Sequence, residues 1–88
     1  MIIGKIVGTV VSTRKNPDLT GCKLMIVEPM EGMAGSRIVA VDNVGAGIGE
    51  IVLVAIGSAA RAGISNASAP VDALIVGIVD SAEQIRMG

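Results

Sequence analysis

The chain has 88 residues, 51% of them hydrophobic and 17% charged, and its seven basic and eight acidic side chains leave a net charge of −1. It contains no histidine, no aromatic residue and a single cysteine. Those absences exclude histidine zinc sites and histidine-based catalysis within one chain, base-stacking platforms and an intrachain disulfide or Cys-x-x-Cys metal site, and the charge balance offers polyanions no strong field.

At this length one domain with a small core is expected, spanning residues 1–88. The start, Met1 to Lys5, has no basic segment ahead of an apolar stretch. The longest strongly apolar runs, Ile51 to Ile56 and Ala73 to Val79, fall well short of the ~18 to 20 residues of a spanning helix. A soluble, cytosolic chain without a membrane partner is therefore expected. Its mean hydropathy of +0.72 is left for burial to explain.

Valine and isoleucine number 12 each against 4 leucines, and β-branched side chains favour strands. Taken in order, the short apolar runs bounded by Gly, Pro, Asn and Asp predict strands at Ile2 to Ser12, Lys23 to Glu28, Ser36 to Val41, Glu50 to Ile56 and Val71 to Asp80. Arg14 to Gly21 carries Pro-Asp and Gly turn signals. One short helix is expected at Ser58 to Ala62, with Ser58 as cap and Gly63 as stop. Ile64 to Pro70 is small and polar enough for a mobile loop. The expected fold is all-β: a small five-stranded barrel with one short helix, closed or nearly closed because closure removes exposed edges.

A barrel strand with water outside alternates apolar and polar residues. Ile51 to Ile56, Leu74 to Val79 and Leu24 to Val27 are instead apolar on both faces. Something beyond one barrel interior must cover them, and packing against copies of the same chain is the simplest cover. Val52, Val54, Ile75 and Val79 contain the candidates for chain-chain contacts, although periodicity alone does not say which of each alternating pair faces outward. A less specific explanation is an imperfect barrel partly covered by the Ser58 helix.

Asp42-Asn43-Val44-Gly45-Ala46-Gly47-Ile48-Gly49-Glu50 is the most distinctive segment. It lacks the glycine spacing of a dinucleotide fingerprint, has a strand rather than a helix after it, and contains no GxxxxGK[ST]. A tight inter-strand turn is expected, with glycines supplying positive φ or close backbone approach. In that turn Asp42 and Asn43 bond local amides and Glu50 is a solvated strand start. The loop could also meet a neighbouring subunit. Cys22 lacks a histidine partner and is expected to be a packed or idle thiol. Asp42, Glu50, Asp72 and Asp80 read as turn carboxylates rather than an acid-base pair. Arg61 is either an exposed helix residue or a bridge to a carboxylate on another chain. Met25, Met30, Met33 and Met87 read as gap fillers or loop residues.

The chain resembles the EutN/CcmL family of bacterial microcompartment vertex proteins. The resemblance rests on Gly4 to Thr13, Lys15, Leu19 to Leu24, Ala40 to Val54, Gly57 to Arg61, Pro70 to Ala73 and Val76 to Asp80. Its specific signature is DxVGAGxGExVL, read here as Asp42 to Leu53. Ala59, where a second serine is frequent, and Glu28, where an uncharged polar residue precedes the proline, depart from the pattern. The resemblance implies an OB-like barrel forming a homo-pentamer at the vertices of a shell whose facets are hexameric tiles. It implies a structural role without enzyme activity or cofactor, in the shell of a cytoplasmic microcompartment. Asp42, Asn43, Gly45, Gly47, Gly49, Glu50, Ser58 and Arg61 are the candidate subunit or shell contacts. A single-stranded nucleic-acid binder is the alternative by fold analogy alone, and a small enzyme using Cys22 or a carboxylate pair is a more distant one.

Overall fold

In the computed structural model five strands follow one another: β1 (Ile2–Val10), β2 (Lys23–Pro29), β3 (Ile38–Asp42), β4 (Ile51–Ile56) and β5 (Ala73–Val79). A helix, α1 (Ser58–Ala62), lies between the last two. The structure describes residues 1–11, 17, 21–33, 35–63, 72–81 and 84–86. Apart from Pro17 and Gly21, the predicted turn from Arg14 to Gly21 lies outside them, as does the predicted loop from Ile64 to Pro70. Each predicted strand forms, with its ends moved by two residues at most. Strand β1 stops at Val10 because Val10 opposite Leu24 is the last β1–β2 pair.

β1 pairs antiparallel with β2 and β4, β2 with β3, and β4 with β5. Two parallel pairs, Val41 with Leu74 and Asp42 with Ile75, then close the barrel in the order β1-β2-β3-β5-β4. This is an OB-like arrangement, in which each strand has a neighbour on both sides.

The interior is filled from alternate strand positions. Ile6, Met25, Val27, Ala40, Val52, Val54 and Ile75 form one cluster, joined by Ala46 from the loop after β3 and flanked by Ile2, Ile38 and Ile78. Gly4 lies on the wall between β2 and β4. A methyl group there would stand 2.5 Å from Val27 Cγ1 and 2.7 Å from the Glu28 carbonyl, so the close approach of β1 to β2 requires glycine.

A second cluster lies outside the wall. Val41, Ala55 and Leu74, with Leu24, are covered by Ala60 of α1. A register shift lets Leu53 pair with Gly77 and Val54 with Ile75, leaving Val76 as the extra residue of a bulge. At the α1 end of β4 and β5 consecutive residues are both buried, because the barrel interior covers one face and the helix the other. Val54 and Ile75 point into the barrel, while Ala55 and Leu74 point outward under α1.

This corrects the expected placement of the contact strand residues. Val52, Val54 and Ile75 have no exposed surface at all and fill the barrel, as a closed barrel with one interior demands. Of the four named, only Val79 is half-buried on the outer wall. It stands opposite Ile51, and one step along Leu53 faces Gly77 and Ile3. These half-buried residues make an apolar stripe across β1, β4 and β5, away from the helix.

Candidate functional site

The loop from β3 to β4 is built by its own side chains. Asp42 ends β3 with its side chain only 1% exposed. Its Oδ1 accepts the Val44 amide at 3.0 Å, an Asx turn that starts the loop. Its Oδ2 lies 3.4 Å from Nζ of Lys23, the residue directly opposite in the β2–β3 register. That approach is too poorly aligned to count as a hydrogen bond, so Oδ2 is buried with a charge beside it and no donor bonded to it. The Lys23 ammonium instead donates to the Ala46 carbonyl at 3.0 Å. Half-exposed Lys23 is partly screened by water, which limits the pair's net contribution to stability.

Ala46 itself is fully buried and belongs to the inner cluster, a methyl peg set into the end of the barrel. Beyond it the chain turns back. The Glu50 amide donates to the Gly47 carbonyl at 3.1 Å, and Glu50 Oε1 accepts the Gly47 amide at 2.7 Å. The Gly49 amide donates to the Ile6 carbonyl at 2.8 Å and the Ile6 amide to the Glu50 carbonyl at 3.0 Å, tying the loop's end to β1. Gly45 (φ 85°) and Gly49 (φ 91°) hold left-handed conformations that other residues adopt only with strain.

Glu50 is therefore not simply a solvated strand start. It turns back to cap its own loop, its carboxylate accepting the Gly47 amide. The same contact disposes of phosphate chemistry at this loop: the Gly47 N–H is already bonded, and β4 rather than a helix follows. What the loop offers outward is Asn43, Val44, Gly45, Ile48 and Gly49, with Ile48 65% exposed.

The two predicted contact stretches do not share one cluster. The loop inserts Ala46 into the inner cluster, whereas α1 packs Ala60 on the outer one. Ser58 is exposed and is the first helical residue, one place inside its expected capping position, with Gly57 (φ 71°) before it. Gly63 closes the helix by donating its amide to the Ala60 carbonyl at 3.1 Å. Arg61 lies on α1, and its side chain is outside the described residues. Asp42 proves to be a buried organiser of the loop rather than a surface group. Lys23 and Ala46, which hold the loop in shape, are legible only once the strand register is known.

Of the other candidates, Cys22 is half-buried before β2, and Met25 is core while Met33 is exposed. Among the described residues no three His, Cys, Asp or Glu side chains come together as a metal-ligand set. The two departures from the family pattern are both at the surface. Glu28 lies 3.6 Å from Arg37 in an exposed ion pair, and Ala59 is exposed.

Comparison with known proteins places this geometry. Residues 1–80 match the family described as ethanolamine utilisation protein EutN/carboxysome. The bacterial microcompartment shell vertex protein GrpN of Rhodospirillum rubrum is 48% identical over 89 residues, covering 98% of this chain and 100% of GrpN. The carboxysome shell vertex protein CcmL of Synechocystis sp. is 51% identical over 84 residues, covering 92% of this chain and 84% of CcmL. Among solved structures, CcmL of Nostoc sp. superposes with a TM-score of 0.83 at 46% identity, covering 92% of this chain and 90% of that one. The pentameric shell protein GrpN superposes with a TM-score of 0.78 at 49% identity, covering 92% and 95%. With the match spanning all five strands, the glycine loop and α1, this chain belongs to the EutN/CcmL family.

Proposed function

We propose that this protein is a vertex component of a bacterial microcompartment shell, with five copies joined in a ring at each vertex. A flat sheet of hexagonal tiles closes only when pentagons are inserted, and a five-fold ring supplies them. The observation that carries the reading is the apolar outer stripe of Ile3, Ile51, Leu53 and Val79 in a chain whose relative GrpN is a pentameric shell protein. A cyclic ring is heterologous, so one surface of each copy meets a different surface of the next. That arrangement gives cover to apolar positions that neither the barrel interior nor α1 covers.

On this reading the whole chain, residues 1–88, is one domain, its working place is the cytoplasm, and its partners outside the ring are hexameric shell tiles. It needs no cofactor and performs no catalysis; its work is to close a boundary. Asn43, Gly45, Gly47 and Gly49 are the proposed contact rim on the loop. Asp42 and Glu50 shape that rim from within, and Ser58 and Arg61 form a second rim on α1. A contact of ordinary size buries ~800 Å² per partner.

Nucleic-acid binding finds no support. The relatives named above are shell proteins, and an OB-like wall without aromatic residues or net positive charge has neither stacking platforms nor an electrostatic groove.

Native mass spectrometry tests the ring. A dominant species of five 8.8 kDa chains is expected, and co-expression with hexameric shell proteins should give closed particles. Gly47→Glu and Arg61→Glu test the two rims. Folded variants that still form rings and close shells would remove those residues from the contact surface.

A further inference from the structure

We infer that Lys23 and Asp42 are a positioning pair that sets the glycine loop in its assembly-competent shape without either side chain making the contact itself. The observations are three. The Asp42 carboxylate is almost wholly buried and holds the first turn of the loop through Val44. Lys23, opposite it in the register, holds the middle of the loop through the Ala46 carbonyl. Between those two anchor points lies Gly45, whose left-handed backbone has no side-chain packing to keep it in place.

The arrangement joins charge to shape. Ala46 is a small peg, and its methyl group alone gives the loop little grip on the core. The ammonium that bonds its carbonyl is also the only cation within 4.0 Å of the buried Oδ2 among the described residues. Loss of the ammonium would leave a carboxylate in the barrel wall without a counter-charge, and the way to relieve that is to open the loop and let water in. Opening would withdraw the Asx turn and the peg together, and with them the placing of Val44 and Ile48, which stand exposed on either side of Ala46. The strands themselves need not separate, because their ladder does not run through these side chains.

The consequence for assembly rests on the vertex reading above; the consequence for the loop does not. Four forms are compared: wild type, Lys23→Met, Asp42→Asn and the double variant. Two readouts are used, hydrogen exchange at single amides and the ring fraction by native mass spectrometry. In Lys23→Met the amides of Val44 and Gly47 should exchange at least about tenfold faster, while those of Val27 and Val54 keep wild-type protection, as expected for a local opening. Adding Asp42→Asn should restore most of that protection, because no buried charge then remains to be hydrated. Such non-additivity is the signature of a coupled pair. The ring fraction should fall and recover in the same order. Equal acceleration in the loop and in the strands, or a double variant as exposed as the sum of the singles, would overturn the proposal. Should Lys23→Met not fold, Lys23→Arg against Asp42→Asn carries the same comparison: the arginine should keep the loop protected. A wild type that forms no ring would refute the vertex reading, yet the exchange comparison would still decide the pair's role.

Discussion

Ile6 and Glu50 are joined across the end of the barrel: the Ile6 amide donates to the Glu50 carbonyl at 3.0 Å, while the Ile6 carbonyl accepts the amide of Gly49 at 2.8 Å. Ile6 is also a fully buried core residue. The glycine loop is thus continuous with the β1 ladder at one end and pegged into the core by Ala46 in its middle. A surface loop with so many glycines would ordinarily sample many conformations. Here the backbone bonds and the peg confine it, so that every copy presents the same surface at this end of the barrel.

The wall at Gly4 gives a sharp test. A Cβ there would meet Val27 and the Glu28 backbone at 2.5 and 2.7 Å, whereas at Gly8 the nearest atom, Ile26 Cδ1, is 3.4 Å away. Gly4→Ala should lower stability by about 1–3 kcal/mol, and Gly8→Ala by clearly less. Paired denaturant titrations measure both. Equal midpoints for the two variants would contradict the close approach of β1 and β2.

Gly45 and Gly49 should each resist replacement through backbone strain rather than crowding. Nothing lies within 4 Å of a methyl group at either position, but both have positive φ. Alanine at each should cost about 1–2 kcal/mol. Gly47, whose φ is not positive, should accept alanine with little change in thermal midpoint. A Gly47→Ala variant as unstable as Gly49→Ala would mean that space, not backbone angle, governs the loop.

Removing the Glu50 cap should be milder. Glu50→Ala gives up the acceptor for the Gly47 amide, a change of about 1 kcal/mol for a half-exposed hydrogen bond. Glu50→Gln keeps a side-chain oxygen in place and should fall between alanine and wild type. Amide exchange at Gly47 reads the effect directly, and identical protection in all three forms would remove the cap from the account.

Inner and outer wall positions should fail in different ways. Ile6→Ala empties part of the core and should cost about 2–5 kcal/mol, lowering the melting temperature of the barrel. Val79→Glu, on the outer wall beside Ile51, should leave the barrel folded and dissolve the ring. Native mass spectrometry alongside circular dichroism separates the two. A ring that persists in Val79→Glu would move the chain-chain contact away from the apolar stripe.

Much of this protein is set by its linear order. Short β-branched runs between glycines and turn residues specify five strands, the helix at Ser58 follows from its flanking glycines, and Asp42 to Glu50 is distinctive wherever it stands. Apolar residues on both faces of β4 and β5 also announce that one barrel interior cannot cover them all. Which face looks inward is another matter, because a period of two fixes alternation and not its phase. Val52 and Leu53 are equally apolar neighbours, and only closure of the barrel sends one into the core and leaves the other on the wall. The bulge at Val76 then resets the phase of β5, so that Ile75 and Ile78, three residues apart, both pack on the inner cluster, which no strict alternation describes. Lys23 and Asp42 meet for the same reason. They lie far apart along the chain, and the β2–β3 register, a property of the whole sheet, puts an ammonium beside a buried carboxylate and gives the glycine loop its shape.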